Sequence, residues 1–229
     1  MTCMLRKESD QESTTHVYRI LKEMIFGWKL EPGEKINISK LALKLNVSTI
    51  PLREALSRLN SEKLVVLERN KGYRVSDILT ETEMKDLSQA RILFEGNAVT
   101  AIIRNNNAGI YRELIEITNA MSSINTEESY FKILEFVQTD EKFHSKIMEA
   151  GGNPILFEAY TRLYSHLHIA RFYHSRGSVD KTEAVGEHFE IIEALKTRDL
   201  YRALEAVDAH LNGSRERLLA VSGDRIYPG

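Results

Sequence analysis

ISKLALKLNVSTIPLREALSRL, residues 38–59, is the stretch that decides the fold. Leu41, Ala42, Leu45, Val47, Leu52, Ala55, Leu56 and Leu59 fall at helical spacing on one inner face, in two runs separated by Asn46. Asn tolerates the left-handed conformation better than most residues that carry a side chain, so Asn46 predicts a turn between two short helices. Ala42 is small enough to let the helices cross closely. Ser39 and Ser48 are the candidate N-caps. Pro51 sits in the first turn of the second helix, where no backbone N–H is needed by the helix itself. This is the spacing of a helix-turn-helix. It leaves Thr49, Ile50, Arg53 and Ser57 pointing outward near the start of the second helix, the part that meets base edges in such modules.

The flanking sequence extends the module. A helix is predicted from about Thr15 to Trp28, with Val17, Ile20, Leu21, Met24 and Ile25 on one side, and Pro32-Gly33 ends it with a turn. LVVLE and YRVS read as short strands joined by RNKG, a hairpin with Gly72 in the turn. Charge follows the same boundary. Residues 1–77 hold 14 basic and 10 acidic residues, whereas the remainder holds 17 and 23. A basic module attached to an acidic body predicts double-stranded DNA as the partner of the first part. Arg53 is the candidate for a bidentate contact to guanine. Lys40, Lys44, Arg58, Arg69 and Lys71 are candidates for phosphate contacts. The plainer alternative is an amphipathic helix pair with a solvated charged face.

From Thr80 onward every segment reads as helix. Six are predicted, over about 81–105, 108–123, 127–150, 153–175, 181–197 and 199–221. The expected organisation is a flexible arm (1–14), a winged helix-turn-helix (15–77), an all-α antiparallel six-helix bundle (80–221) and a C-terminal tail (222–229). Only 4 Pro and 12 Gly in 229 residues agree with a mainly α chain. No apolar run approaches the roughly 20 residues of a membrane span. The polar start MTCMLRKESDQEST lacks the apolar centre of a signal peptide, and Cys3 has no second Cys to pair with. The expected location is cytoplasmic.

Three of the bundle helices carry polar groups on their apolar faces. In the third, Phe136, Val137, Phe143, Ile147 and Met148 form a stripe that also contains Asp140 and His144, four residues apart. In the fifth, His188 lies among Ala184, Val185, Ile191, Ile192 and Leu195. In the sixth, His210 lies among Ala203, Leu204, Val207 and Leu211. A lone His on an apolar face is more often a core residue with one hydrogen bond than a ligand. Three such faces in one bundle satisfy their polar groups most simply around a cation. The O,N,N,N set of Asp140, His144, His188 and His210 suits a divalent transition metal: Zn²⁺ first, with Ni²⁺, Mn²⁺ and Fe²⁺ as alternatives that spacing does not separate. His166, His168 and His174 lack clear stripe positions, and His16 lies in the N-terminal arm. A neutral His cluster without metal is the competing reading.

Two resemblances cover nearly the whole chain. VSTIPLREALSRLNSEKLV…KGYRV, with the preceding LKEMIFGWKLEPGEKI, resembles the winged helix-turn-helix of the GntR family of bacterial transcription regulators. The resemblance implies DNA-facing roles for Ser48, Arg53, Arg58 and Gly72. Thr49 and Ile50 stand where the family usually has Arg and Thr, and Lys63 stands where Gly commonly precedes the wing strand. RILFEGNAV, DEKFH, NPIL, EHFEIIEALKTRD and AVDAHL resemble the FCD effector domain of FadR-type members, and six helices after the wing resemble its shorter VanR-like branch. In metal-binding members the ligands match Asp140, His144, His188 and His210.

What the resemblance implies is a non-enzymatic regulator, expected to repress, that binds palindromic operator half-sites as a homodimer. A small organic acid is the implied effector. Arg91 and Arg171 are the candidate effector contacts, because guanidinium suits a planar carboxylate, and Tyr160 and Tyr164 are candidate lining residues. A purely structural metal, and a metal-dependent enzyme acting through activated water, are the alternatives.

Overall fold

The turn at Asn46 organises the first part of the molecule. The computed structural model describes residues 2–107, 109–165, 167–170 and 179–220. Within it α1 (Thr2–Phe26), α2 (Ile38–Leu45) and α3 (Thr49–Ser61) precede a hairpin of β1 (Val65–Glu68) and β2 (Gly72–Val75). Asn46 adopts φ 54 and ψ 44 and caps α2 in the left-handed conformation. α2 starts at Asn37, whose side chain accepts a hydrogen bond from Lys40 N, and not at the expected Ser39. Ser48 does precede α3 in extended conformation, with no side-chain cap hydrogen bond of its own.

α1 packs on α3, burying Val17, Leu21 and Ile25 in one core with Leu52, Leu56 and Leu59. A polar rivet closes that contact. Tyr18 Oη donates to Glu62 Oε1 at 2.6 Å, and Lys22 Nζ reaches Glu62 Oε2 at 3.0 Å. α1 runs unbroken from Thr2 through the segment expected as an arm. β1 and β2 pair antiparallel from Val65–Val75 to Glu68–Gly72. Two positive-φ residues, Asn70 (63°) and Gly72 (87°), turn the wing. Asn60 Oδ1 accepts from Leu67 N and ties the wing to α3. Lys63, at the position where the family commonly has Gly, holds φ 61.

The second unit begins between Ile78 and Leu79. A capping box between Thr80 and Glu83 starts α4 (Glu81–Arg104). α5 (Ile110–Ser123), α6 (Tyr130–Ala150), α7 (Pro154–Thr161), α8 (Lys181–Thr197) and α9 (Leu200–Leu219) follow. Asn153 accepts from Ile155 N and Leu156 N, with Pro154 opening α7. Among the described residues no helix is long and apolar enough to cross a membrane.

The segment expected as one helix over 153–175 is divided. α7 ends at Thr161, Tyr164 turns left-handed at φ 50, and helix resumes at 165. No Gly or Pro signals this break. Tertiary bonds account for it: Tyr160 Oη and Ser165 Oγ, on either side, reach the buried carboxylate of Glu95 and the partly buried one of Glu141. The number of helices after the wing therefore does not assign a branch.

The bundle core contains Val99, Ile102, Leu114, Phe143, Ile147, Ile191, Leu195, Ala203, Val207 and Leu211. α4 is gripped near its middle from two sides. A Cβ on Gly151 would lie 2.9 Å from Ala98 Cα, and one on Gly96 would lie 3.3 Å from Leu204 Cδ2. The first approach, to backbone, needs a glycine; the second is a tight contact with the tip of a leucine side chain.

Candidate metal centre and DNA-reading face

α6, α8 and α9 bring Asp140, His144, His188 and His210 together, with donor atoms all within 4.8 Å of one another. His144 Nε2 lies 3.1 Å from His210 Nε2. Asp140 Oδ1 lies 3.3 Å from His188 Nε2 and 3.7 Å from His144 Nε2. Metal bonds of about 2.1 Å give donor–donor edges of about 3.0–3.4 Å, so this spacing suits a single transition ion. Asp140 is 13% exposed and His144 and His188 are 0%. Among the described residues, both nitrogens of His188 are buried without a hydrogen bond. The Asp140 oxygen is near Nε2 but lacks the alignment of one. Such an orphan costs roughly 1–3 kcal/mol unless something satisfies it, and a cation would. The Phe143 ring stacks flat on His188, 3.8 Å between centroids and 5° between planes.

The other two imidazoles are braced from outside. His144 Nδ1 is 2.7 Å from Glu95 Oε2. Glu95 Oε1 in turn accepts from Arg91 Nε at 3.1 Å and from Tyr160 Oη at 2.9 Å. His210 Nδ1 is 2.8 Å from Glu187 Oε2. Burial alone would lower the pKa of His144, but the Glu95 and Asp140 carboxylates outweigh it and Arg91, lifting it to about 9. His188, with less compensation for its burial, falls to about 3. Burial also lowers His210, against the pull of Glu187. Asp140 opposes its own burial through His144 and His188 and stays well below the usual carboxylate range. Glu95, held against burial by His144 and Arg91, falls to about 2.

Arg91 is buried in this network, 5% exposed, and among the described residues its Nη2 has no hydrogen-bond partner. It lies beside the four-donor cluster. Arg171, the second candidate effector contact, lies outside the described residues, as do His166 and His174. Tyr160 is fully buried and spends its hydroxyl on Glu95. Glu95, Glu187 and Arg217 were not anticipated from sequence. Glu95 follows Arg91 at i+4 in RILFEG, which is the one signal available. Glu187 approaches His210 from another helix, so no periodicity reveals it.

On the first unit Ser48, Thr49, Ile50, Arg53 and Ser57 are exposed along the start and outer face of α3, with Ile50 at 68%. Lys40, Arg69, Lys71 and Gly72 are exposed as well. Lys29, Lys35, Lys40 and Lys44 surround a groove beside α2. Arg58 is partly engaged: its guanidinium covers the Tyr18 ring at 3.8 Å, and its Nε is 3.6 Å from Glu62.

Residues 13–75 match the model of the bacterial regulatory proteins of the gntR family, and residues 86–213 match that of the FCD domain. The chain is 30% identical over 199 residues to the HTH-type transcriptional repressor GlaR of Escherichia coli, covering 85% of this chain and 90% of GlaR. It is 27% identical to the gluconate operon transcriptional repressor of Bacillus subtilis, covering 84% and 78%. Two solved structures share the fold. They are Lar, which controls the agr system of Listeria monocytogenes (TM-score 0.68, 18% identity, 91% and 97% covered), and E. coli McbR/YncC (TM-score 0.67, 20% identity, 91% and 97% covered). A winged helix-turn-helix with an exposed α3 face, followed by a helical FCD domain with its own buried polar centre, places this chain in the GntR family as an FCD-type DNA-binding transcriptional regulator.

Proposed function

We propose that this regulator represses transcription, and that a small carboxylate bound at a divalent-metal site in the FCD domain controls its hold on operator DNA. The observation that carries the reading is the four-donor cluster of Asp140, His144, His188 and His210, with both ring nitrogens of His188 unbonded inside the core. A transition ion there, Zn²⁺ before Ni²⁺, Mn²⁺ or Fe²⁺, would supply a Lewis-acidic seat for an anionic group. Arg91 supplies a fixed positive charge beside it, with one guanidinium nitrogen unengaged. Tyr160 and Glu95 hold that guanidinium and His144 in register.

On the DNA side, Arg53 reads a base edge with Thr49 and Ser57 beside it, while Lys40, Ser48, Arg58, Arg69, Lys71 and Gly72 meet the backbone. Thr49 and Ile50 supply no cation, so ahead of Arg53 the helix start offers base edges only a hydroxyl and an apolar side chain. A homodimer would set two such helices roughly 34 Å apart on a palindromic site. The exposed apolar strip of Leu93, Tyr201 and Leu204 on α4 and α9 supports self-association. An effector shifts DNA affinity only through its preference for one of two arrangements of these helices.

Elemental analysis of untagged protein, followed by a thermal-shift screen of small carboxylates with and without divalent ions, tests the reading. One ion per chain is expected, with a further rise in melting temperature on adding the true acid. Less than about a tenth of an equivalent after reloading would sink the metal site. The near-complete burial of the donors favours one rival, a purely structural ion. Under that rival the ion raises the melting temperature and no carboxylate alters operator binding.

A further inference from the structure

Two of the three imidazoles at the centre have a carboxylate on the nitrogen that faces away from it. For His144 this is Glu95, inside the core. For His210 it is Glu187, half-buried and on a different helix. A carboxylate only accepts, so Nδ1 keeps its proton and Nε2 turns toward the other donors. Glu187 is itself held in a fork: Arg217 Nη1 donates to Oε1 and Nη2 to Oε2, both at 2.8 Å. The same guanidinium pairs with Asp180, which precedes α8.

Arg217 reaches Glu187 by lying over Gly213, one turn earlier on α9. A Cβ on Gly213 would stand 2.9 Å from Arg217 Nη1 and 3.4 Å from Glu187 Oε1. Glycine inside a helix costs roughly 1 kcal/mol against alanine, and here it opens the path for the guanidinium. We propose that Arg217, lying across Gly213, and Glu187 form an outer brace that orients His210 as a metal donor. Glu187 is thereby a positioning residue. Among the described residues His188 has no such partner, which makes two braced imidazoles and one packed flat against Phe143. The proposal rests on the metal reading above. The alternative role for the same atoms is a salt bridge that merely staples α8 to α9.

Co²⁺ is the probe, its affinity measured by chelator competition on the full chain. Removing the carboxylate that holds a ligating imidazole by its other nitrogen typically weakens binding about 10–100-fold, and that loss is expected for Glu187→Ala. Glu187→Gln keeps an acceptor and should recover part of it. Arg217→Gln should weaken binding several-fold although it touches no donor atom. In metal-free protein, long-range ¹H–¹⁵N spectra should show His210 with its proton on Nδ1, and Glu187→Ala should lose that preference. A staple alone would lower melting temperature and leave tautomer and affinity unchanged. Co²⁺ affinity in Glu187→Ala within about twofold of the wild type overturns the brace. If the wild type takes up no Co²⁺, the metal reading fails by itself and the His210 tautomer decides the brace. Loss of Nδ1–H in the variant upholds it, and an unchanged tautomer overturns it. Should Glu187→Ala not fold, Glu187→Gln and Arg217→Gln carry the same two readouts.

Discussion

Metal uptake should displace one proton, and the structure says which. His144 and His210 each present Nδ1 to a carboxylate, yet their Nε2 atoms are only 3.1 Å apart. Without an ion between them, two lone pairs at that distance would repel, and one shared proton relieves the approach. His144 carries it, because Glu95 and Asp140 outweigh burial and Arg91 and raise its pKa from 6.5 to about 9. The remaining donors compete with no proton near neutrality: His188 falls to about 3, His210 is lowered, and Asp140 is well below the usual range. An ion binds the form that lacks the shared proton, so affinity must rise with pH and level off above about 9. Between pH 6.5 and 8.5 the gain is about eightyfold, or about 2.6 kcal/mol. Chelator competition at several pH values, corrected for the chelator's own protonation, measures the slope. Calorimetry in buffers of different ionisation enthalpy counts the proton directly. An affinity that is flat across this range would refute the shared proton, and a slope of two would mean that a second donor is protonated.

Arg53→Ala should remove the preference for operator over random DNA, a loss of about 1–3 kcal/mol, while leaving the melting temperature unchanged; retardation assays with both DNAs check it. Lys63 pays the left-handed penalty at φ 61, so Lys63→Gly should stabilise the first unit by about 0.5–1 kcal/mol in denaturant titration. Gly151→Ala forces a methyl to within 2.9 Å of Ala98 and should cost about 1–3 kcal/mol. Gly186→Ala meets nothing within 4 Å and should gain up to about 1 kcal/mol, so a melt that ranks the two the other way contradicts the helix packing.

The DNA-reading unit was legible because its signals are local. Asn46, Pro51 and Gly72 each constrain the backbone within a few residues, and the apolar spacing of α2 and α3 needs no distant partner. The convergence of Asp140, His144, His188 and His210 was legible for a related reason: each lies on a stripe whose inward face is fixed by its own helix. What surrounds them was not. Glu95 and Glu187 meet their histidines across 49 and 23 residues, and no periodicity carries a contact between helices. The break after Thr161 was hidden for the same cause, since distant carboxylates impose it against a locally helical sequence. Ser39 lost the cap of α2 to Asn37, two residues earlier, where the extended backbone lets the side chain reach Lys40 N.

The double grip on α4 has a mechanical consequence. Gly96 against Leu204 and Ala98 against Gly151 hold neighbouring points of one long rod, most tightly at Ala98, so a tilt of the rod would pivot there. Those points form a fulcrum. Arg91 lies about 10 Å along the rod from Ala98, and Glu81, where α4 begins, lies about 26 Å away. A displacement of Arg91 would therefore reach Glu81 about two and a half times larger, at the end of α4 that follows directly in sequence from the DNA-reading unit. Arg91 would lie on the short arm of a lever within the second unit, and the capped start of α4 on the long one.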